Sequence, residues 1–105
     1  MGSGRDESED VRVLDVPDER RFVLMVGDTP AGSIEYARSS DAIYLIHTKV
    51  DPSFEGRGLG TRLIAGALDD VRARKLGVVP VCRFVRAYLA RHPDDADLIV
   101  EPEPR

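Results

Sequence analysis

An apolar run, Ala42–Val50, passes through Asp51-Pro52-Ser53-Phe54 into a turn with glycine at 56, 58 and 60, and that turn opens directly into a helical pattern. The order strand, glycine turn, helix constrains this chain more than any other feature. Gly56, Gly58 and Gly60 remove side chains where a backbone must approach a ligand, and the first amides of the following helix have no partners within it. Such a segment is an anion cradle, and a pyrophosphate suits it. Two familiar glycine loops fit less well. A Walker loop needs Lys and then Ser or Thr after its last glycine, whereas Gly60 is followed by Thr61 and Arg62. The dinucleotide pattern G-x-G-x-x-G, begun at Gly56, requires glycine where Thr61 stands, and the acidic residue expected about 20 positions on is replaced by Val78-Val79-Pro80-Val81.

A chain of 105 residues with 42% hydrophobic side chains builds one domain around one modest core. It contains no apolar run long enough to span a membrane, and Met1-Gly-Ser-Gly-Arg-Asp lacks the apolar centre of a secretory signal. The single cysteine, Cys82, excludes an intramolecular disulfide and suits a reducing cytosol, so a cytoplasmic location is expected. The net charge of −4 hides an uneven distribution. Between His47 and His92 there are nine Lys or Arg against four Asp or Glu, while acids crowd Asp6–Asp10 and the tail from Asp94 to Glu103. A cationic stretch centred on the glycine turn favours a phosphorylated ligand. Nucleic acid is not expected as a partner, because the chain is acidic overall and only 6% aromatic.

Hydrophobic periodicity supplies the element order. Val11–Val16 and Arg21–Val26 read as strands, Gly27-Asp28-Thr29-Pro30 as a turn, and Ala31–Ala37 as a third strand. Ser39-Ser40-Asp41 reverses the chain into Ala42–Val50, which is apolar on both faces through Ile46 and reads as a central strand covered on both sides. From Gly58 to about Lys75, Leu59, Leu63, Ile64, Ala67, Leu68 and Val71 follow helical spacing, with Gly77 as a stop. Val78–Cys82 reads as a strand whose Pro80 marks an edge or a splayed end, and Phe84–Arg91 as a helix halted by Pro93. The order β-β-β-β-α-β-α is an α/β (α+β) arrangement on a mixed sheet over residues 11–101, flanked by segments 1–10 and 102–105 expected to be disordered.

On these residues the chain resembles the GNAT superfamily of N-acetyltransferases. The resemblance rests on the strand ending Val50-Asp51-Pro52 and on Glu55-Gly56-Arg57-Gly58-Leu59-Gly60 before a helix. His47-Thr48-x-Val50, Val79-Pro80-x-Cys82 with Phe84-Val85, and Tyr88 ahead of His92-Pro93 resemble the short, single-domain subfamily. The resemblance implies a mainly antiparallel sheet in which the central strand splays from its neighbour, so that the pantetheine arm of acetyl-CoA lies between them. Thr48, Lys49 and Val50 would bond the arm, the turn from Glu55 through Gly56, Arg57, Gly58, Leu59 and Gly60 to Thr61 would hold the pyrophosphate, and Cys82, Phe84 and Tyr88 would complete the site. Glu55 departs from the Arg or Gln of the wider superfamily, and Arg83 stands where a proline is expected. The N-terminal helices that usually shape the amine site are not expected from the residues ahead of Val11.

Direct transfer of acetyl to an amine requires a base for the amine, a donor for the developing oxyanion and an acid for the departing thiolate. Amides near Val50 are the candidate oxyanion donors, Tyr88 the candidate acid, and His47, on the same strand face as Lys49, the candidate base. Cys82 is a candidate to meet the CoA sulfur or carry an acetyl group. Tyr88, His47 and Cys82 each have an ordinary structural alternative: a packed tyrosine, a strand histidine and a buried small hydrophobe. The expected activity is acetyl transfer from acetyl-CoA to an amine, with no metal, by a monomer or weak homodimer. The alternative is a CoA-binding module with little turnover.

Overall fold

The computed structural model describes residues 10–102, so the expected disorder of the two termini lies almost wholly outside it. Four strands, β1 (Val11–Val16), β2 (Arg21–Val26), β3 (Thr29–Arg38) and β4 (Ala42–Val50), form an antiparallel meander. Helix α1 (Leu59–Ala73) then crosses back, so that β5 (Gly77–Pro80) lies parallel to β4 at the end of the order β1-β2-β3-β4-β5. Helix α2 (Arg83–Arg91) and a 3-10 segment, Pro93–Leu98, follow. Val100 donates its amide to the Val78 carbonyl at 2.9 Å, tying the chain end beside β5.

Helix α1 buries Leu59, Leu63, Ile64, Ala67, Leu68 and Val71 against Phe22, Leu24, Ile34, Ile43 and Leu45 of the sheet. Val85 and Leu89 of α2 join the same cluster, so the helices cover one face. A methyl group at Gly66 would meet Val13 Cγ2 at 2.5 Å, which is why glycine stands where α1 crosses β1. A second tie is polar. Asp15 is nearly buried, accepts a hydrogen bond from Tyr36 Oη and lies 2.9 Å from Arg74 Nη2 just beyond α1. Its Oδ2 accepts no well-directed hydrogen bond, so the arginine contact is an ion pair only.

The register departs from simple alternation at the point that matters for the site. Glu35 pairs with His47 and Tyr36 with Leu45, leaving Ile46 as an extra residue in β4. This bulge reverses the facing of the rest of the strand. Thr48 and Val50 share the helix side with Ile43 and Leu45, whereas His47 and Lys49 point to the other face. The expectation that β4 is covered on both sides is therefore corrected: His47 and Lys49 are exposed, and Ile46 retains 42% of its accessible surface. The turn after β2 is also tighter than expected. Gly27, at φ 60°, closes the hairpin with Asp28, and Thr29 and Pro30 already belong to β3. Pro30 is accommodated there beside a second bulge, where Leu24 pairs with Gly32 and Met25 with Pro30.

Candidate functional site

Pairing between β4 and β5 runs from Ala42↔Gly77 to Leu45↔Pro80 and stops. Pro80 has no amide to extend it, Val81 donates back to the Val79 carbonyl at 3.0 Å, and the last link is Cys82 N–H to Leu45 O at 2.8 Å. Beyond it the chain turns into α2, and the edge of β4 from Ile46 to Val50 has no neighbouring strand. A cleft of about 430 Å³ opens along this edge.

Its far wall is the glycine turn. Asp51 accepts from the Ser53 amide at 2.9 Å and its hydroxyl at 2.7 Å, which starts a 3-10 turn at Pro52 and holds its own carboxyl below the usual carboxylate range. Gly56 and Gly58 adopt left-handed φ of 83° and 72°, and a Cβ at either would meet nothing within 4 Å. Their backbone is bare toward the cleft. The first helical bond of α1 is Arg62 N–H to Gly58 O, so the amides of Leu59, Gly60 and Thr61 precede it without helical acceptors. These donors and the positive end of the helix dipole meet in one wall.

Of the residues singled out in the sequence, Thr48, Val50, Glu55, Gly56, Gly58, Leu59, Gly60, Thr61, Phe84 and Tyr88 line the cleft. Lys49 and His47 do not, because the bulge turns them to the opposite face. Arg57 lies beside the turn with its guanidinium 5.3 Å from the Phe54 ring. Phe54, Ile64 and Arg91 line the cleft and were missed. Two were legible: Ile64 follows Gly60 by four positions, and Arg91 follows Tyr88 by three and Phe84 by seven, each on one helical face. Phe54 carried no such signal.

Cys82 sits behind the lining, 93% shielded, as the residue that starts α2. Its sulfur is 3.3 Å from Thr48 Oγ1. Burial pushes the thiol up, but the Thr48 hydroxyl and the amides of Val85, Phe84 and Thr48 outweigh it and bring the thiol below its ordinary range. The sulfur caps α2 by proximity rather than by a formed hydrogen bond. Tyr88 is pushed the other way, by burial first and then by Asp95 and Asp69. Its ring stacks on His92 at 3.8 Å between centroids, and His92 Nδ1 lies 2.8 Å from the Tyr88 carbonyl. His92 is therefore engaged at the helix end. Phe84 is 62% exposed on the lip of the cleft, a large apolar surface left in water at its mouth. Among the described residues, no group of three or more His, Cys, Asp or Glu is placed to hold a metal, and no helix is long and apolar enough to cross a membrane.

A profile described as GCN5-related N-acetyl-transferase matches residues 21–98, from the start of β2 to the end of the 3-10 segment. The chain belongs to the GCN5-related N-acetyltransferase family. No curated protein matches its sequence. Among solved structures, the NMR solution structure of a GCN5-like protein from Staphylococcus aureus superposes with a TM-score of 0.62 at 24% identity, over 88% of this chain and 90% of that one. At that identity the likeness speaks for the fold: a five-stranded mixed sheet with a parted strand pair, as the GCN5-related resemblance implied.

Proposed function

We propose that this N-acetyltransferase binds acetyl-CoA in the cleft between β4, the glycine turn and α2, and transfers the acetyl group to an amine without a covalent enzyme intermediate. The observation that carries the reading is the coincidence of an unpaired strand edge at Ile46–Val50 with unpaired helix-start amides at Leu59–Thr61, both facing one cleft. The edge offers main-chain donors and acceptors to the two amides of a pantetheine arm, as a further strand would. Gly56 and Gly58 leave space for a diphosphate, whose charge the Leu59, Gly60 and Thr61 amides neutralise. Phe84 covers apolar ligand surface at the lip.

The bound thioester supplies an activated acetyl group. The amine nitrogen forms its bond to the thioester carbon as that carbon loses its bond to sulfur, and it sheds its proton to solvent, which afterwards reprotonates the Tyr88 phenolate. An amide of the β4 edge holds the oxygen as it gains charge. Tyr88 donates its proton to the departing thiolate: burial keeps the phenol protonated at neutral pH. Cys82 is assigned a supporting place, since its sulfur is shielded behind Thr48 rather than presented to the cleft. His47 lies on the opposite face of β4 and serves as base only for an amine arriving from that side through the gap beyond Leu45.

The test is calorimetry with CoA and acetyl-CoA, paired with release of free thiol on adding polyamines, peptides or small amines. Binding heat with thiol release above hydrolysis supports transfer. Heat without release reduces the protein to a CoA-binding module, and no heat with either ligand removes the cleft from the reading.

A further inference from the structure

The sheet face opposite the helices breaks the rule that a solvated antiparallel face is polar. Its β1 and β2 positions include Leu14, Val16, Val23 and Met25, which floor a groove of about 520 Å³ with Ser33 and Lys49 on its far side. Leu14 is 40% exposed. The registers set these side chains in rows. One row reads Val16, Arg21, Glu35, His47 across β1 to β4, and the next reads Leu14, Val23, Ser33, Lys49. The charges of the first row are weakly engaged within the chain. Glu35 makes no ion pair among the described residues, and Arg21 reaches Glu19 only at 3.6 Å, its Nε lacking a hydrogen bond.

We propose that this face is a self-association surface on which a second copy of the chain docks, about a two-fold axis running along the strands between β2 and β3. That axis exchanges β2 with β3 and keeps each row opposite itself. Arg21 then faces the partner's Glu35, and Glu35 the partner's Arg21. Val23 meets the partner's Ser33, Met25 the partner's Pro30, and Leu14 the aliphatic stem of the partner's Lys49. Each central charge finds its opposite, Val23 and Met25 find uncharged neighbours and only the stem of a lysine meets Leu14, which is the self-complementarity a two-fold interface requires. The pairs nearest the axis follow this register best, because packed sheets rotate by about 30°. Four strands about 4.8 Å apart and three rows about 7 Å apart give a patch about 20 Å on a side, about 400 Å² per copy, which is below the area of stable interfaces and within that of weak, transient ones. The dimer therefore dissociates on dilution. Its footprint stops at β4, outside the gap between β4 and β5.

Sedimentation equilibrium on the full chain between about 1 µM and about 1 mM reads the association directly. The expected weight-average mass climbs from 11.6 kDa toward twice that value with concentration. Arg21→Glu alone and Glu35→Arg alone are each expected to stay monomeric, and an equimolar mixture of the two to recover the dimer, since acidic side chains on one copy then face basic ones on the other. A wild-type mass that stays at the monomer value, or single variants that still dimerise, or a mixture that stays monomeric, overturns the proposal. Dilution NMR on the unaltered chain guards against variants that misfold: the amides of Val23, Ser33 and Glu35 are expected to shift with concentration while that of Leu63 does not. Outer-face shifts that appear only when a polypeptide substrate is added give the face to an acceptor protein and overturn self-association.

Discussion

The two faces of this sheet belong to the same strands and both carry apolar side chains, yet they have opposite fates. On the inner face, Phe22, Leu24, Ile34, Ile43 and Leu45 lie under both helices and are sealed from water. On the outer face, Leu14, Val23 and Met25 open onto a groove that neither helix covers. Hydrophobic sequence alone therefore does not make a core. What makes one is a second layer, and here the crossover through α1 and the turn into α2 place both helices on a single side.

The largest contrast is in stability. Leu63→Ala removes a fully buried α1 side chain and is expected to cost about 3 kcal/mol, whereas Val23→Ala on the outer face is expected to cost under about 1 kcal/mol in the dilute monomer. Denaturant titration of both at low protein concentration checks this, and equal losses would mean the faces are energetically alike.

A second contrast is electrostatic. Tyr36 is pushed up to about 12 by burial first and then by its bond to Asp15. A folded state that keeps this proton while the unfolded chain releases it near pH 10 is fully favoured below pH 10 and loses that advantage as pH rises toward 12. The loss is on the order of 2 kcal/mol. Tyr36→Phe is expected to flatten this alkaline slope, visible as Tm against pH. An unchanged slope would show that Tyr36 is not the group whose proton sets it.

The third prediction concerns the cleft at the margin of the inner face. A Cβ at Gly60 would touch only Val50 Cγ2, at an ordinary 3.6 Å, and the backbone there is not left-handed. Gly60→Val is therefore expected to fold with little change in Tm but to lose the stabilisation of about 2–3 kcal/mol expected of the proposed CoA ligand at a hundredfold excess over its Kd. Thermal shift with and without CoA reads this, and a retained shift would move the ligand elsewhere. The smallest effect belongs to Thr48→Val, which removes a hydroxyl that favours the Cys82 thiolate. The pH midpoint for alkylation of Cys82 is expected to rise, and a midpoint that stays or falls would mean the α2 amides alone set the thiol.

Several features were open to reading before any fold was known, and they share a cause. The glycine turn, α1 and the strand order are local: Gly56 and Gly58 need left-handed backbone, and Leu59 to Val71 mark one helical stripe, whatever surrounds them. The end of the β4–β5 pairing was foreshadowed by Pro80, because a missing amide ends a ladder anywhere. The bulge at Ile46 was not foreshadowed. It arises from a register between Glu35 and Tyr36 on a different strand, and it alone decides that Thr48 faces the cleft while His47 and Lys49 do not. Likewise the pairing of Asp15 with Arg74 and Tyr36, and the bare outer face, depend on which side a helix lands after a crossover. Local backbone chemistry is written in neighbouring residues. Facing and partnership arise from contacts between residues distant in the chain, and only the packed structure selects among them.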